Sequence, residues 1–243
     1  MTRLRRAVVF AGGLGSRLGP NHGRGPKAVL PVTHTENLSD IVLDQLRAAG
    51  IEHVTFAVGH LAEQVMRVVD GHPHAGMLVD YHVEMEPLGT AGALARIEGL
   101  TAPFIVANCD VVTDLRIGDL VATHECEGYA LTIAACRRSY RSEFGLLVAD
   151  EPHARASRVR SIDEKPYVSR LLNMGIYVAD PSIRAVIEPG VRTDMDQVIQ
   201  RLVDIDQPVG LHAHDGSWMD IATDELLAEL VEITERRHGS ERT

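Results

Sequence analysis

Apolar positions alternate along the chain between two rhythms. Unbroken apolar runs at residues 4–10, 53–58 and 103–107, with an extended stretch at 77–83, read as strands. Between them, residues 38–49, 61–70 and 89–98 space their apolar positions as amphipathic helices do, and Gly50 closes the first of these. This β-α-β-α-β-α-β alternation predicts an α/β fold, a mainly parallel sheet covered by helices on both faces. After a further helix at about 116–126 the pattern changes, and residues 129–136, 144–149, 158–163 and 171–178 all read as strands of a mixed β region. A helix near 194–205, strands near 208–213 and 217–221, and a terminal helix over about 223–237 complete the chain. With no internal repeat, low-complexity tract or linker, residues 1–243 read as one domain with halves of about 1–128 and 129–238.

Length and composition exclude several classes. A chain of 243 residues, 45% apolar and 24% charged, buries a core without staples, and no apolar run approaches the roughly 20 residues that a membrane span needs. Neither a disordered chain nor a membrane protein fits. The first residues lead straight into a strand-like run with no secretory pattern. Cys109, Cys126 and Cys136, odd in number and without C-x-x-C pairing, suit a reducing cytoplasm.

Charge adds two facts. Formal net charge is −10, which argues against a nucleic-acid-coating protein, yet the first 35 residues hold Arg3, Arg5, Arg6, Arg17, Arg24 and Lys27 and no acid. That segment carries +6, so the other 208 residues carry −16. Of 24 basic residues 22 are arginine, and the only lysines, Lys27 and Lys165, each adjoin a proline. Drift toward arginine explains the composition. A need for compact ammonium groups at two places would explain which lysines remain.

The residues after the first predicted strand, Ala11-Gly12-Gly13-Leu14-Gly15-Ser16-Arg17, lie where a parallel sheet presents its ligand side. Gly13-Leu14-Gly15, with Glu36 about 20 residues on, hints at a dinucleotide fingerprint, but that motif opens a long helix, which Pro20, Pro26 and Pro31 forbid. No Gly-Lys-Ser/Thr follows, so a Walker A loop also fails. What remains is an extended, basic, glycine-rich excursion suited to a polyphosphate, with Arg17 and Lys27 as its cations.

The full string Gly12-Gly13-Leu14-Gly15-Ser16-Arg17-Leu18-Gly19-Pro20, then Pro26-Lys27-Ala28-Val29-Leu30-Pro31-Val32, is far more specific. It resembles the signature of the sugar-1-phosphate nucleotidyltransferases. Glu86-Pro87-Leu88-Gly89-Thr90-Ala91-Gly92-Ala93, Asn108-Cys109-Asp110, Glu164-Lys165-Pro166, Asn173-Met174-Gly175 and Trp218-Met219-Asp220-Ile221-Ala222-Thr223 match in family order. The resemblance spans essentially the whole chain and implies a Rossmann-like sheet of the nucleotide-diphospho-sugar transferase type. The first half would bind nucleotide and the second sugar phosphate.

The resemblance implies in-line attack by a sugar 1-phosphate on the α-phosphorus of a nucleoside triphosphate, with pyrophosphate leaving. Such a transfer needs positioning and charge neutralisation, which the +6 segment, Lys165 and Mg2+ would supply. Arg17, Lys27 and Asp110 are the implied catalytic residues: Arg17 on the leaving pyrophosphate, Lys27 on the α-phosphate. Asp110 and Asp220 would hold the metal. Cys109 and Ala222 stand where the family usually has glycine, and both are small enough for the metal site to survive. Ala11, Gly12, Gly13, Gly15, Ser16, Glu84, Gly89 and Thr90 would line the nucleotide site, and Gly145, Glu164, Lys165 and Asn173 the sugar-phosphate site. A carboxylate at Glu84 or Glu86 can accept from both N1–H and the 2-amino group of guanine, which favours GTP. The string there resembles mannose-1-phosphate guanylyltransferases, so a mannose- or heptose-like sugar is favoured.

UTP, dTTP, CTP or ATP with a glucose-like sugar is the alternative within the reaction. A non-catalytic nucleotide-sugar-binding regulatory subunit is the alternative of another class. Nucleic acid and membrane are not expected partners, and a homo-oligomer is compatible with the sequence. Three further features have plainer readings: His212 and His214 share a strand face without an evident third zinc ligand, Asp114 suits the cap of the helix at about 116, and Trp218 suits a packing anchor.

Overall fold

A computed structural model describes residues 4–13, 25–71, 76–151 and 154–240. Strand β1 (Arg6–Phe10) leads, through a 3₁₀ turn at Lys27–Val29, to α1 (Leu38–Ala48), β2 (His53–Val58), α2 (Ala62–Asp70) and β3 (Leu78–Val83). Helix α1 starts where the sequence allows, because the Asn37 N–H donates to Asp40 Oδ2 at 2.7 Å, and it buries Leu38, Val42, Leu43 and Leu46. Then come β4 (Phe104–Asn108), β5 (Val111–Thr113), α3 (Ile117–Glu127), β6 (Leu131–Arg141), β7 (Leu146–Ala149), β8 (Val159–Asp163) and β9 (Tyr167–Ala179). Helix α4 (Met195–Asp204), β10 (Val209–His214), β11 (Trp218–Asp220) and α5 (Asp224–Ser240) complete the order.

Seven strands form one sheet in the order β10-β6-β9-β4-β1-β2-β3, and β9 alone runs antiparallel to its neighbours. The second-half strands β6, β9 and β10 therefore extend the first-half sheet instead of building a separate one. One core cluster lies under α1, α2 and α3, with Phe56, Leu46, Ile105 and Leu120 fully buried. A second fills the opposite face around Leu94, Phe104, Ile183 and Val198.

The expected helix over 89–98 is only a 3₁₀ turn at Gly92–Ala95. Gly89 has φ +79°, which no helix accommodates, and the flanking backbone bonds elsewhere: Thr193 N–H donates to Leu88 O and Ala91 N–H to Thr193 O. Strand β5 was not predicted; its three residues pair antiparallel with β11. Asp114 does not cap α3, whose N-cap is Arg116; its carboxylate accepts from Ser217 N–H and pairs with His214 Nε2 at 2.7 Å. Among the described residues, no helix is long and apolar enough to cross a membrane.

Candidate active site

The cleft forms where the sheet changes direction. From β1 the chain winds outward to β2 and β3, whereas β4 lies on the other side of β1, and ligands of open α/β sheets bind at such a switch point beyond the strands' carboxyl ends. Each of strands β1 to β4 hands over its next residues there: Gly12 and Gly13 after β1, Gly59 after β2, Glu84 after β3, and Cys109 and Asp110 after β4. Their backbones are tied together, with Ala11 N–H donating to Ala57 O, Cys109 N–H to Phe10 O and Glu84 N–H to Val58 O. The resulting cleft holds about 440 Å³ and is lined by Gly12, Gly13, Lys27, Glu84, Gly89, Thr90, Asp110 and Asp220 among others.

Lys27 Nζ lies 2.6 Å from Asp110 Oδ2, both side chains about 15% exposed. Asp220 arrives on β11, opposite Val111 of β5, and the Ile221 N–H donates to Asp110 O at 2.9 Å. Two aspartates from distant sequence positions are thus neighbours. Among the described residues no cluster of three His, Cys, Asp or Glu side chains could hold a metal. Two hard oxygen donors without a nitrogen or sulfur companion fit Mg2+ completed by water and phosphate oxygens, and do not fit zinc. Cys109 is buried, and burial, reinforced by the Asp110 charge, pushes its thiol well up. Of the described non-glycine residues only Leu61, Lys165 and Asp206 have positive φ, so Cys109 and Ala222 adopt ordinary backbone and strain nothing at the two aspartates.

Glu84 faces this cleft, whereas Glu86 is exposed and outside its lining. A Cβ at Gly12 would sit 3.1 Å from Glu84 Oε2, and Glu84 Oε1 is buried without a partner. Burial raises the carboxyl above its ordinary value, with a backbone hydrogen bond from Leu88 opposing. The loop after it is pinned to α4: Thr90 N–H donates to Asp194 Oδ1 at 2.8 Å and Met195 N–H to Thr90 Oγ1 at 2.9 Å. A side chain at Gly89 would strike Thr193 O at 2.6 Å.

Gly145, Glu164, Lys165 and Asn173 are not in the lining of this cleft. Glu164 lies over Gly145, where a Cβ would come within 2.7 Å of Oε2. Lys165 is exposed in the left-handed region, φ +50°. Asn173 Oδ1 accepts from Gly175 N–H and its Nδ2 donates to Tyr177 Oη. Ala11 is buried behind the cleft. Gly15, Ser16 and Arg17 lie outside the described residues.

Of the described cations in the basic first segment, Lys27 lines the cleft and Arg5 and Arg6 do not. Arg5 pairs with Glu52 and Arg6 donates to Thr55 Oγ1, at the start of β1, about 13 Å of strand away from the cleft end. Two cleft residues, Arg192 and Asp194, went unread in the sequence. Nothing local marks Arg192; Asp194 carries a helix-cap signal, with Gln197 three residues on. His212 Nδ1 is bonded to Thr123 Oγ1 and His214 to Asp114, so the two histidines have structural partners.

Fold and cleft together define an α/β protein of the nucleotide-diphospho-sugar transferase type. Its fold is shared with HddC from Yersinia pseudotuberculosis (TM-score 0.71, 22% identity, 95% of this chain and 100% of that one). It is shared too with a putative glucose-1-phosphate thymidylyltransferase from Bacillus anthracis (TM-score 0.73, 19% identity, 94% of each chain). The chain belongs to the nucleotidyl transferase family, whose model matches residues 6–236. Similar relatives include a mannose-1-phosphate guanyltransferase of Schizosaccharomyces pombe, 32% identical over 89% of this chain and 60% of that one. The catalytic subunit beta of mannose-1-phosphate guanylyltransferase in Drosophila melanogaster is 34% identical over 89% and 59%. The chain thus spans about 60% of the length of these relatives. Nucleotidyltransferases of this family generally use a divalent metal.

Proposed function

We propose that this protein transfers a nucleoside monophosphate from a nucleoside triphosphate, with GTP preferred, to a sugar 1-phosphate, releasing pyrophosphate. The observation that carries the reading is the meeting of Lys27, Asp110 and Asp220 in a cleft floored by Gly12 and Gly13. An ammonium beside two carboxylates and a glycine backbone suits a reaction whose main demand is charge control around an α-phosphate. Lys27, paired to Asp110 in the protein alone, turns to the α-phosphate as negative charge builds there. Arg17 stabilises the leaving pyrophosphate, and Gly12, Gly13, Gly15 and Ser16 offer backbone donors to the triphosphate. Asp110 and Asp220 hold Mg2+, which when bound supplies charge neutralisation along the phosphates. Lys165 holds the sugar phosphate, with Gly145, Glu164 and Asn173 around the sugar.

Glu84 supports guanine as the base. Its buried, partnerless oxygen needs a donor, and guanine offers two from one edge while uracil and thymine offer one. Similarity to mannose-1-phosphate guanylyltransferases, and a relative in fold solved with GMP-PN, agree with GTP and with a mannose-like acceptor; a heptose-like one is the other sugar proposed. Three cysteines, none in a disulfide, accord with work in the cytoplasm. The test is pyrophosphate release with Mg2+ across five nucleoside triphosphates and several sugar 1-phosphates. At least one pair should turn over, GTP fastest. Silence throughout, with a nucleotide sugar still bound, would establish the regulatory alternative.

A further inference from the structure

Asp220 reaches the cleft on β11, three residues long and paired only with the equally short β5. A two-stranded ribbon of that size does not hold itself in place. Trp218, two residues earlier and so on the same strand face, supplies one anchor, beside the buried Ile221 whose N–H donates to Asp110 O. The Trp218 Nε1–H donates to Met174 O at 3.2 Å on β9, and its ring packs on the core beneath the sheet.

Arg138 on β6 grips Trp218 in two ways. Its Nη2 donates to Trp218 O at 3.0 Å, and its guanidinium carbon lies 5.9 Å from the indole centroid, within cation–π range. A longer contact, Nη1 to Gly216 O at 3.5 Å, reaches the turn before β11. Sheet stability does not account for an arginine here. Arg138 stands directly opposite Arg170 of β9, and like charges facing across a ladder are unfavourable. What Arg138 touches is the strand bearing Asp220.

We propose that Arg138 is a positioning residue: through the carbonyl and ring of Trp218 it sets where Asp220 stands beside Asp110, and thereby the affinity of that pair for a divalent metal. The inference rests on the assignment of Asp110 and Asp220 as metal ligands. Other groups hold the two ends of β11: Asp114 accepts from Ser217 N–H, and Ile221 N–H donates to Asp110 O. Arg137 pairs with the Asp215 side chain, and Thr113 Oγ1 donates to Ser217 O, upstream of Trp218.

Mn2+ binding, followed by electron paramagnetic resonance with nucleoside triphosphate and no acceptor, tests this without turnover. Loss of a group bonded to a metal ligand typically weakens binding by about 10–100-fold; Arg138 acts one step further back, through Trp218, so R138A should weaken Mn2+ binding by about 10-fold, the low end of that range. Its kcat at saturating Mg2+ should stay near wild type, and R138K, keeping a donor and a cation over the ring, should recover most of the affinity. Because Trp218 is the sole tryptophan, its emission should respond to Mg2+, and in R138A that response should move to higher Mg2+. R137A, removing an adjacent charge, should bind Mn2+ as the wild type does. Equal Mn2+ affinity in R138A and wild type, or equal weakening in R137A and R138A, would overturn the proposal. If R138A does not fold, R138M, which has neither donor nor charge, takes its place with the same expected weakening. A wild type that binds no Mn2+ with any of five nucleoside triphosphates would instead remove the metal-ligand assignment itself.

Discussion

Lys27 Nζ and Asp110 Oδ2, 83 positions apart in sequence, are 2.6 Å apart in the cleft. Neither strand-end nor turn demands this contact for its own hydrogen bonding, since the 3₁₀ turn at Lys27–Val29 closes on Pro26 O and Lys27 O. The two groups, each largely out of water, form an ion pair in the protein alone. In the proposed reaction a nucleotide phosphate would replace the carboxylate beside Lys27, and a metal ion the ammonium beside Asp110.

If the pair acts on the reacting phosphate, K27M and D110N should each lower kcat by about 100- to 1,000-fold, the usual loss when one group stabilising transition-state charge is removed. Because the two groups share one site, the double variant should lose much less than the product of the singles. Steady-state pyrophosphate release measures all three; full additivity would place the residues in separate roles.

Glu84 predicts a pH dependence. Burial raises its carboxyl, so the ionised acceptor is lost at a higher pH than for an ordinary glutamate. The KM for GTP should rise as pH falls through that raised value, and in E84Q this dependence should flatten at a uniformly weak KM. The stability sign is opposite to that of a salt-bridged acid. A raised folded value means that folding disfavours the charged form, so the cost is absent below the unfolded pKa and fully present above the folded one. E84Q should therefore raise Tm at neutral pH and leave it unchanged in acid.

Asp194 serves the helix and the cleft loop together, capping α4 and accepting from Thr90 N–H. D194A should cost about 1 kcal/mol of stability through the lost cap, read by denaturant melting. It should also raise KM for nucleotide more than it lowers kcat, because the loop at Gly89 and Thr90 loses its tether.

The proposed role of Lys165 on the sugar phosphate distinguishes the two substrates. K165R should raise KM for the sugar 1-phosphate severalfold while leaving KM for the nucleotide triphosphate unchanged, since a planar guanidinium does not reproduce a compact ammonium on a single phosphate. An equal rise in both KM values would show that Lys165 serves the nucleotide instead.

Much of the architecture was legible one residue at a time. The apolar run before Gly12, the capped stripe of α1 and the β-branched stretch at His53–Val58 announce themselves because local backbone preference and burial agree there. The stretch 89–98 misled for the converse reason. Its apolar spacing is helical, but the backbone there bonds to Thr193, a hundred positions on, Ala91 N–H donating to Thr193 O and Thr193 N–H to Leu88 O, and no local pattern carries that information. Arg192 escaped notice because only the fold of the β9 to α4 connection turns it into the cleft.

By itself the sequence determined the α/β alternation, the family signature and the residue types that phosphate chemistry requires, because these depend on periodicity and on side-chain identity. Only the tertiary structure decided that β6, β9 and β10 join the first-half sheet, that Arg5 and Arg6 face away from the cleft, and that Glu84 instead of Glu86 lines it. It alone brought Asp220 beside Asp110 through two three-residue strands. The physical reason is the same in each case: strand order and register follow from long-range pairing, whose gain appears only when segments distant in sequence meet, so nothing within either segment records it.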